Sequence, residues 1–198
     1  MAASYGTTAA LKERLGIEAA DTSRDTLLAA ALAAASRGID KATGRRFWLD
    51  EQPVQRTYRT AGRVARHDDG ELLLVDDIGS AELIVETGQG LSYTAVTDYE
   101  TSPDNAAADG VAVTGLLRVR AAWGASTVSR VRITARFGWP TVPDDITEAT
   151  LIQAARLYRR KDSPEGVTGS AEWGVVRLSR RDPDVWNLIE PYVLPGFA

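Results

Sequence analysis

The sequence predicts an α+β fold: a discontinuous α-helical bundle of about four helices with an antiparallel β domain inserted into it. Three observations carry this. Apolar residues recur at helical spacing near both ends of the 198-residue chain. Between the ends the period falls to two, and apolar side chains alternate with polar ones. Turn residues cut this middle stretch into short pieces, among them Asp68-Asp69-Gly70, Gly88-Gln89-Gly90 and the loop 102–110. The expected division is 1–50 plus 138–198 for the helical part and 51–137 for the insertion.

A short first helix is expected over Ala9–Leu15. Thr7 or Thr8 can cap its N-terminus, and Gly16 can supply a left-handed C-terminal turn. Leu11 and Leu15 form its small apolar face, which must dock on a neighbour because so short a helix is unstable alone. The second helix is expected over about Arg24–Thr43, capped by Thr22 or Ser23 and ended by Gly44. Leu28, Ala31, Leu32, Ala35, Ile39 and Ala42 line one face of it, and the alanines let a partner helix approach closely.

Strands are expected around Val54–Tyr58, Leu72–Val75, Ala81–Glu86 and Leu116–Ala121, with weaker signals at Leu91–Val96 and Tyr99. The clearest lies in Val128–Phe137. There Val131, Ile133, Ala135 and Phe137 face one way, and Arg130, Arg132, Thr134 and Arg136 the other. That alternation is the mark of a half-buried antiparallel strand. In all, five to seven strands are expected.

Pro140 and Pro143 then turn the chain into a third helix starting near Asp144 or Asp145, with Glu148 spaced for a capping box. Leu151, Ala154, Ala155 and Tyr158 form its apolar stripe. Arg156, Arg159, Arg160 and Lys161 gather at its C-terminal end, where the helix dipole favours cations. A long polar loop over 162–179, rich in glycine and carrying Trp173, follows with room for a short hairpin near Val175, Val176 and Leu178. Asp182-Pro183 opens a last helix as an N-cap and a first-turn proline. Pro191 closes it, and the tail from Tyr192 is apolar.

Composition narrows the chemistry. There are no cysteines, which removes disulfides, thiol catalysis and cysteine-rich zinc sites. The single histidine, His67, cannot build a histidine metal cluster within one chain. Neither a signal peptide nor a membrane-spanning run is expected. No cofactor is expected either: Gly88-Gln89-Gly90 lacks the third glycine and following helix of a dinucleotide loop, and no phosphate-binding G-x-x-x-x-G-K-[ST] occurs. The acid pairs Asp68/Asp69, Asp76/Asp77 and Asp144/Asp145 raise a carboxylate-dependent hydrolase as an alternative, yet adjacent acids on a strand point to opposite faces. His67 sits in a polar turn and no G-x-S-x-G accompanies it. The net charge of −4 argues against broad nucleic-acid binding. A second alternative remains, a nucleic-acid-binding module using Arg118, Arg120, Arg130, Arg132 and Arg136, set against a solvated face paired in part with Glu82 and Glu86. The expectation is that the chain is not an enzyme.

Three C-terminal stretches carry a family resemblance: Val131–Leu151 (VRITARFGWPTVPDDITEATL), Leu157–Val167 (LYRRKDSPEGV) and Val176–Val185 (VRLSRRDPDV). Leu11–Leu15 (LKERL) and Ile39–Phe47 (IDKATGRRF) add to it. Together they resemble the head–tail connector proteins of tailed bacteriophages, also called head-completion or adaptor proteins. The β insertion departs from the family's smallest, all-helical members and is similar to its larger variants. The resemblance implies a structural virion protein that acts at the head–tail interface and assembles in the host cytoplasm. It implies a homo-oligomeric ring, usually dodecameric, below the portal protein, extending the DNA channel and offering a platform to the next connector, stopper or tail protein. Packaged DNA would pass without sequence-specific binding, and no membrane partner is implied. In such rings the loop after the third helix and the C-terminal segment contact neighbours or portal. The corresponding candidates are Arg160, Lys161, Pro164, Val167, Trp173, Val175, Arg177, Arg180, Arg181, Tyr192, Leu194 and Phe197. Arg130, Arg132 and Arg136 are the candidates for facing DNA.

Overall fold

The computed structural model describes residues 4–124, 128–160, 167–168, 176–177 and 182–194. They fall into two compact units: Met1–Arg45 with Val142–Ala198, and Arg46–Thr141. The first is helical. Helix α1 (Thr8–Leu15) begins at Thr7, whose hydroxyl accepts the Ala10 N–H at 3.1 Å, and ends at Gly16 with φ 67°. Helix α2 (Asp25–Thr43) ends on Gly44 in the same left-handed conformation. The cap expected from Thr22 or Ser23 is absent. The cap residue is Arg24, with no side-chain hydrogen bond, and the Ser23 hydroxyl donates instead to Asp21.

The α2 stripe is buried at Leu28, Ala31, Leu32, Ala35 and Ile39. Ala42 is exposed, and Thr43 takes the last buried position, its hydroxyl donating to the Ile39 carbonyl at 2.9 Å. Ser36 is buried by the same device, donating to the Leu32 carbonyl at 2.8 Å. A hydroxyl that returns to its own helix removes most of the cost of burying a polar group.

A third helix of this unit spans Asp144–Arg159 and is α4, because a one-turn helix α3 (Ala106–Asp109) precedes it in the insertion. The capping box expected of α4 does not form. Pro143 is the cap residue, and Glu148 pairs with Arg14 of α1. Asp144 and Asp145 still stand in the first turn, where the helix dipole favours anions. Leu11, Leu28, Leu32, Ala35, Leu151, Ala154, Ala155 and Tyr158 share one core between α1, α2 and α4. Helix α5 (Pro183–Ile189) is capped by Asp182, which accepts from the Asp184 and Val185 N–H groups. It passes into a short 3-10 turn at Glu190–Tyr192 that contains Pro191.

The second unit carries eight strands: β1 (Val54–Arg59), β2 (Val64–His67), β3 (Gly70–Ile78), β4 (Ile84–Gln89), β5 (Ser92–Ala95), β6 (Glu100–Ser102), β7 (Val113–Val119) and β8 (Arg130–Ala135). That is one more than the upper expectation. The added strand is β2, four residues whose burial does not alternate. Asp68 and Asp69 form the two-residue loop joining β2 to β3, whose register pairs His67 with Gly70. Two four-stranded antiparallel sheets result, in the orders β1-β8-β4-β5 and β2-β3-β7-β6. Their inner faces share one core that includes Tyr58, Leu73, Ile78, Val85, Leu116, Trp123, Val131 and Ile133. This is the sandwich arrangement, with apolar residues of both sheets interleaved.

Strand β8 follows its sequence pattern. Val131, Ile133, Ala135 and Phe137 are all buried to 1% exposure or less, and Phe137 lies just past the strand in a bridge to Ile78. Trp123 closes one end of the core, its indole N–H donating to the carbonyls of Glu71 and Leu116. Gly138 has φ +114°, and a Cβ there would lie 2.0 Å from the Trp48 carbonyl oxygen. Only glycine fits that approach.

Candidate assembly surface

Within the helical unit, the contact candidates among the described residues are Arg160, Val167, Arg177, Tyr192 and Leu194. The two ends of the segment between α4 and α5 are tied together. Arg156, in the last turn of α4, pairs with the Asp182 carboxylate at 2.9 Å, with both side chains about four-fifths buried. Asp182 thus serves two structures at once, the α5 cap and this pair. The local sequence explains it: a cation at a helix C-terminus and an anion at the next helix N-terminus each complement a helix dipole, and together they complement each other.

Arg160 is exposed at the C-terminal cap of α4. Val167 and Arg177 lie on two-residue strands, β9 (Val167–Thr168) and β10 (Val176–Arg177), which pair antiparallel with Arg177 opposite Val167. This is the short hairpin the sequence leaves room for. Lys161, Pro164, Trp173, Val175, Arg180, Arg181 and Phe197 lie outside the described residues.

The tail as far as Leu194 is fastened to its own helices. The Tyr192 carbonyl accepts from Arg45 Nε at 2.7 Å, and the Leu194 N–H donates to the Thr43 carbonyl at 2.8 Å. The Tyr192 hydroxyl donates to Asp145 at 3.2 Å. Burial and then the Asp145 carboxylate raise that phenol above its ordinary value. Leu194 packs beside Gly44 and still leaves 42% of its surface exposed.

Within the sandwich, Arg130 and Arg132 sit on the outer side of β8 and Arg136 just past its end, and each is engaged by its own unit. Arg130 donates to the Ser129 carbonyl at 2.9 Å, Arg132 stacks 3.5 Å above the Tyr93 ring, and Arg136 Nε donates to the Asp50 carbonyl at 2.7 Å. Arg118 belongs to β7 in the other sheet, where it pairs with Asp98 at 2.6 Å. The arginines named in the sequence therefore do not form one face.

Of the acid pairs, Asp76/Asp77 lies on a strand, β3, and its two side chains find different partners. Asp76 accepts from Arg56 at 2.8 Å and from the Tyr58 hydroxyl at 3.2 Å, while Asp77 accepts from the Trp139 indole at 3.1 Å. Burial, followed by the Asp76 charge, pushes the Tyr58 phenol well above its ordinary value. Among the described residues no three His, Cys, Asp or Glu side chains come together in a way that could hold a metal ion. No described helix is long and apolar enough to cross a membrane.

The sequence reading missed the cluster around Asp76. Arg56 and Tyr58 of β1 and Arg63 of the β1–β2 connection converge on this one carboxylate of β3, and they line a groove of about 510 Å³. Arg56 also lies 4.0 Å above the Phe137 ring. Spacing along one strand carries no signal of such a convergence.

No family model and no curated protein matches the chain. Solved structures do match. One is a chain in the neck of an empty GTA particle computed with C6 symmetry, with a TM-score of 0.58 and 19% identity over 96% of this chain and 90% of that one. Another is a chain in the virion of a native gene transfer agent (GTA) particle, with a TM-score of 0.53 and 18% identity over the same shares. At these identities the likeness is one of fold, and it runs through both units of the chain.

Proposed function

We propose that the chain is a structural neck protein of a phage-like particle, a head–tail connector that forms a ring below the portal. One observation carries the reading. The fold extends over 96% of the chain onto a protein from a particle neck, and the sequence motifs independently resemble connectors. The coverage includes the β insertion, the part that the smallest connectors lack. The neck with which the fold agrees was computed with C6 symmetry, and a dodecameric ring is compatible with sixfold order.

The mechanism is one of contact. A ring protomer needs two different surfaces that meet head to tail, each commonly of order 800 Å². The 162–181 segment, rooted by Arg156 and Asp182, supplies contacts to portal or to the neighbouring protomer. The segment from 182 onward supplies a second set, with Leu194 as an exposed apolar contact. The acidic net charge keeps the ring from gripping DNA, because phosphate binding scales with the cations presented.

Sedimentation and electron microscopy of the purified chain, alone and mixed with portal rings, test this. Closed rings, free or seated on portal, are expected. Removing 164–180 is expected to abolish assembly while circular dichroism stays that of a folded protein. A strictly monomeric particle that never joins portal would sink the reading, and intact assembly of the shortened chain would remove the role given to that segment.

A further inference from the structure

An antiparallel sheet with one face in water alternates apolar-in and polar-out. Strands β3 and β7 break that rule. Leu73, Val75 and Leu116 enter the sandwich core. Leu72, Leu74 and Leu117 alternate with them and point to the outer side. The register joins these side chains into one patch: Leu72 stands opposite Leu117, Leu74 opposite Gly115, and Val119 opposite Gly70. Leu72 leans over Gly115, where a Cβ would come within 2.7 Å of its Cδ1. The runs Leu72-Leu73-Leu74-Val75 and Leu116-Leu117 are those of strands covered on both faces. Yet Val119 leaves 45% of its surface exposed, and Leu72, Leu74 and Leu117 are only partly buried. The other sheet keeps the rule, its strand β8 presenting Arg130, Arg132 and Thr134 outward. A contiguous apolar patch on an outer face marks a docking surface.

The charge around this patch is acidic. Glu100 of β6 stands opposite Leu117. Asp68 and Asp69 form the β2–β3 loop beside Gly70. Asp104 and Asp109 lie in the connection from β6 to β7. All of these acids are exposed and in no ion pair among the described residues. Against them stand the exposed Arg120, whose N–H donates to the Asp69 carbonyl, and His67. The other nearby cations, Arg63, Arg66 and Arg118, are already paired with Asp76, Glu71 and Asp98.

An occupant of this face has to be apolar and basic. Residues 173–181 (WGVVRLSRR) meet both needs. They offer Trp173, Val175, Val176 and Leu178 to the aliphatic patch, and Arg177, Arg180 and Arg181, with no acid among them, to its rim. They belong to the contact segment that Arg156 and Asp182 root. Patch against patch would bring two acidic rims together, whereas segment against patch brings opposite charges together. That second contact joins two different surfaces of the same chain, as a ring requires. DNA fits the face poorly, since its phosphates would meet the acids.

We propose that residues 173–181 of one copy dock on the outer side of the β2-β3-β7-β6 sheet of the next. The proposal rests on the ring reading above and names the surface that its contact segment meets.

The chain has no cysteine, so engineered thiols report this contact alone. Val119→Cys combined with Ser179→Cys, treated with a short bismaleimide, is expected to give a ladder of covalent oligomers on denaturing gels, because each copy carries both halves of the contact. Linked monomers without a ladder would put the segment on its own sandwich and overturn the contact between copies. No link at all, in a variant that still forms rings, would overturn the patch as the docking surface and leave the ring reading standing. Charge reversal gives a second readout. One variant carries Asp68→Lys, Asp69→Lys and Glu100→Lys, and the other Arg177→Glu, Arg180→Glu and Arg181→Glu. Circular dichroism with thermal melting checks that each folds as the wild type does. Each alone is expected to need about tenfold more protein to associate at low salt, and their equimolar mixture is expected to recover wild-type assembly by alternating the two. Variants that assemble unchanged, or that fail both singly and mixed, would overturn the proposal. Wild-type chains that form no ring, alone or on portal, would overturn the ring reading with it.

Discussion

The helical unit and the sandwich are built by opposite means. The helical unit is assembled from the two ends of the chain, yet each of its helices is specified by the residues beside it. Thr7 and Gly16 bound α1, Gly44 ends α2, and Asp182 starts α5. Its core is small-grained, with Ala31, Ala35, Ala154 and Ala155 between the leucines. The sandwich is one continuous stretch, yet beyond the tight β2–β3 and β4–β5 hairpins its strand pairings are long-range. β8 lies between β1, some 75 residues earlier, and β4, and the core is filled by large side chains such as Trp123, Tyr58 and Phe137. Local specification makes the first unit tolerant of single errors at its surface. The second depends on a few large residues that reach between strands.

The sharpest test of this contrast is Trp123→Ala. Trp123 is fully buried and bonds to Glu71 and Leu116. Its truncation is expected to cost about 3–5 kcal/mol, with hydrogen exchange rising across the sandwich and little changed in α2 and α4. Leu28→Ala, at a fully buried position, is the mirror experiment. The alanine-rich surroundings limit how many contacts are lost, so about 2–3 kcal/mol is expected, with faster exchange confined to the helical unit. If either substitution loosens both units equally, the units unfold as one and the contrast fails.

Smaller effects sharpen it. Asp182→Ala removes both the α5 cap and the pair to Arg156, and about 1–2 kcal/mol is expected in urea unfolding. Asp182→Asn keeps the cap and should recover most of the loss. If Asn and Ala behave alike, the ion pair dominates instead. Tyr58→Phe probes the non-local side. The folded phenol holds its proton above its ordinary value of 10.0, first through burial and then through Asp76. The folded state therefore binds more protons than the unfolded one as the phenol titrates. Its contribution is present in full below pH 10 and is lost as pH rises beyond that value. Wild-type stability should fall above pH 10, and the fall should be shallower in Tyr58→Phe, which also loses about 1 kcal/mol at neutral pH with its hydrogen bond. An unchanged alkaline slope would remove Tyr58 from the account.

The same contrast explains what the sequence made legible. Helix positions were readable because caps and stripes are local, and the one mislaid stripe position, Ala42 for Thr43, reflects a threonine that satisfies its hydroxyl on its own helix. The α2 and α4 caps were misread because Ser23 and Glu148 found other partners, Asp21 and Arg14. In the sandwich the alternation of β8 was plain, whereas β2 was too short and too evenly exposed to stand out. The proposed contact segment at the α4–α5 junction rests on motif resemblance, whereas the Arg156–Asp182 pair that ties its two ends is a tertiary contact.

The gene-transfer-agent chains share this pairing of a helical unit with an inserted sandwich over nearly the whole length.

The most direct test of the account is a reconstruction of a particle neck that contains this chain. The account predicts a closed ring of the chain around the particle axis, directly below the portal and with DNA passing through it. A neck in which the chain is absent, or lies outside the ring as single copies, would contradict it.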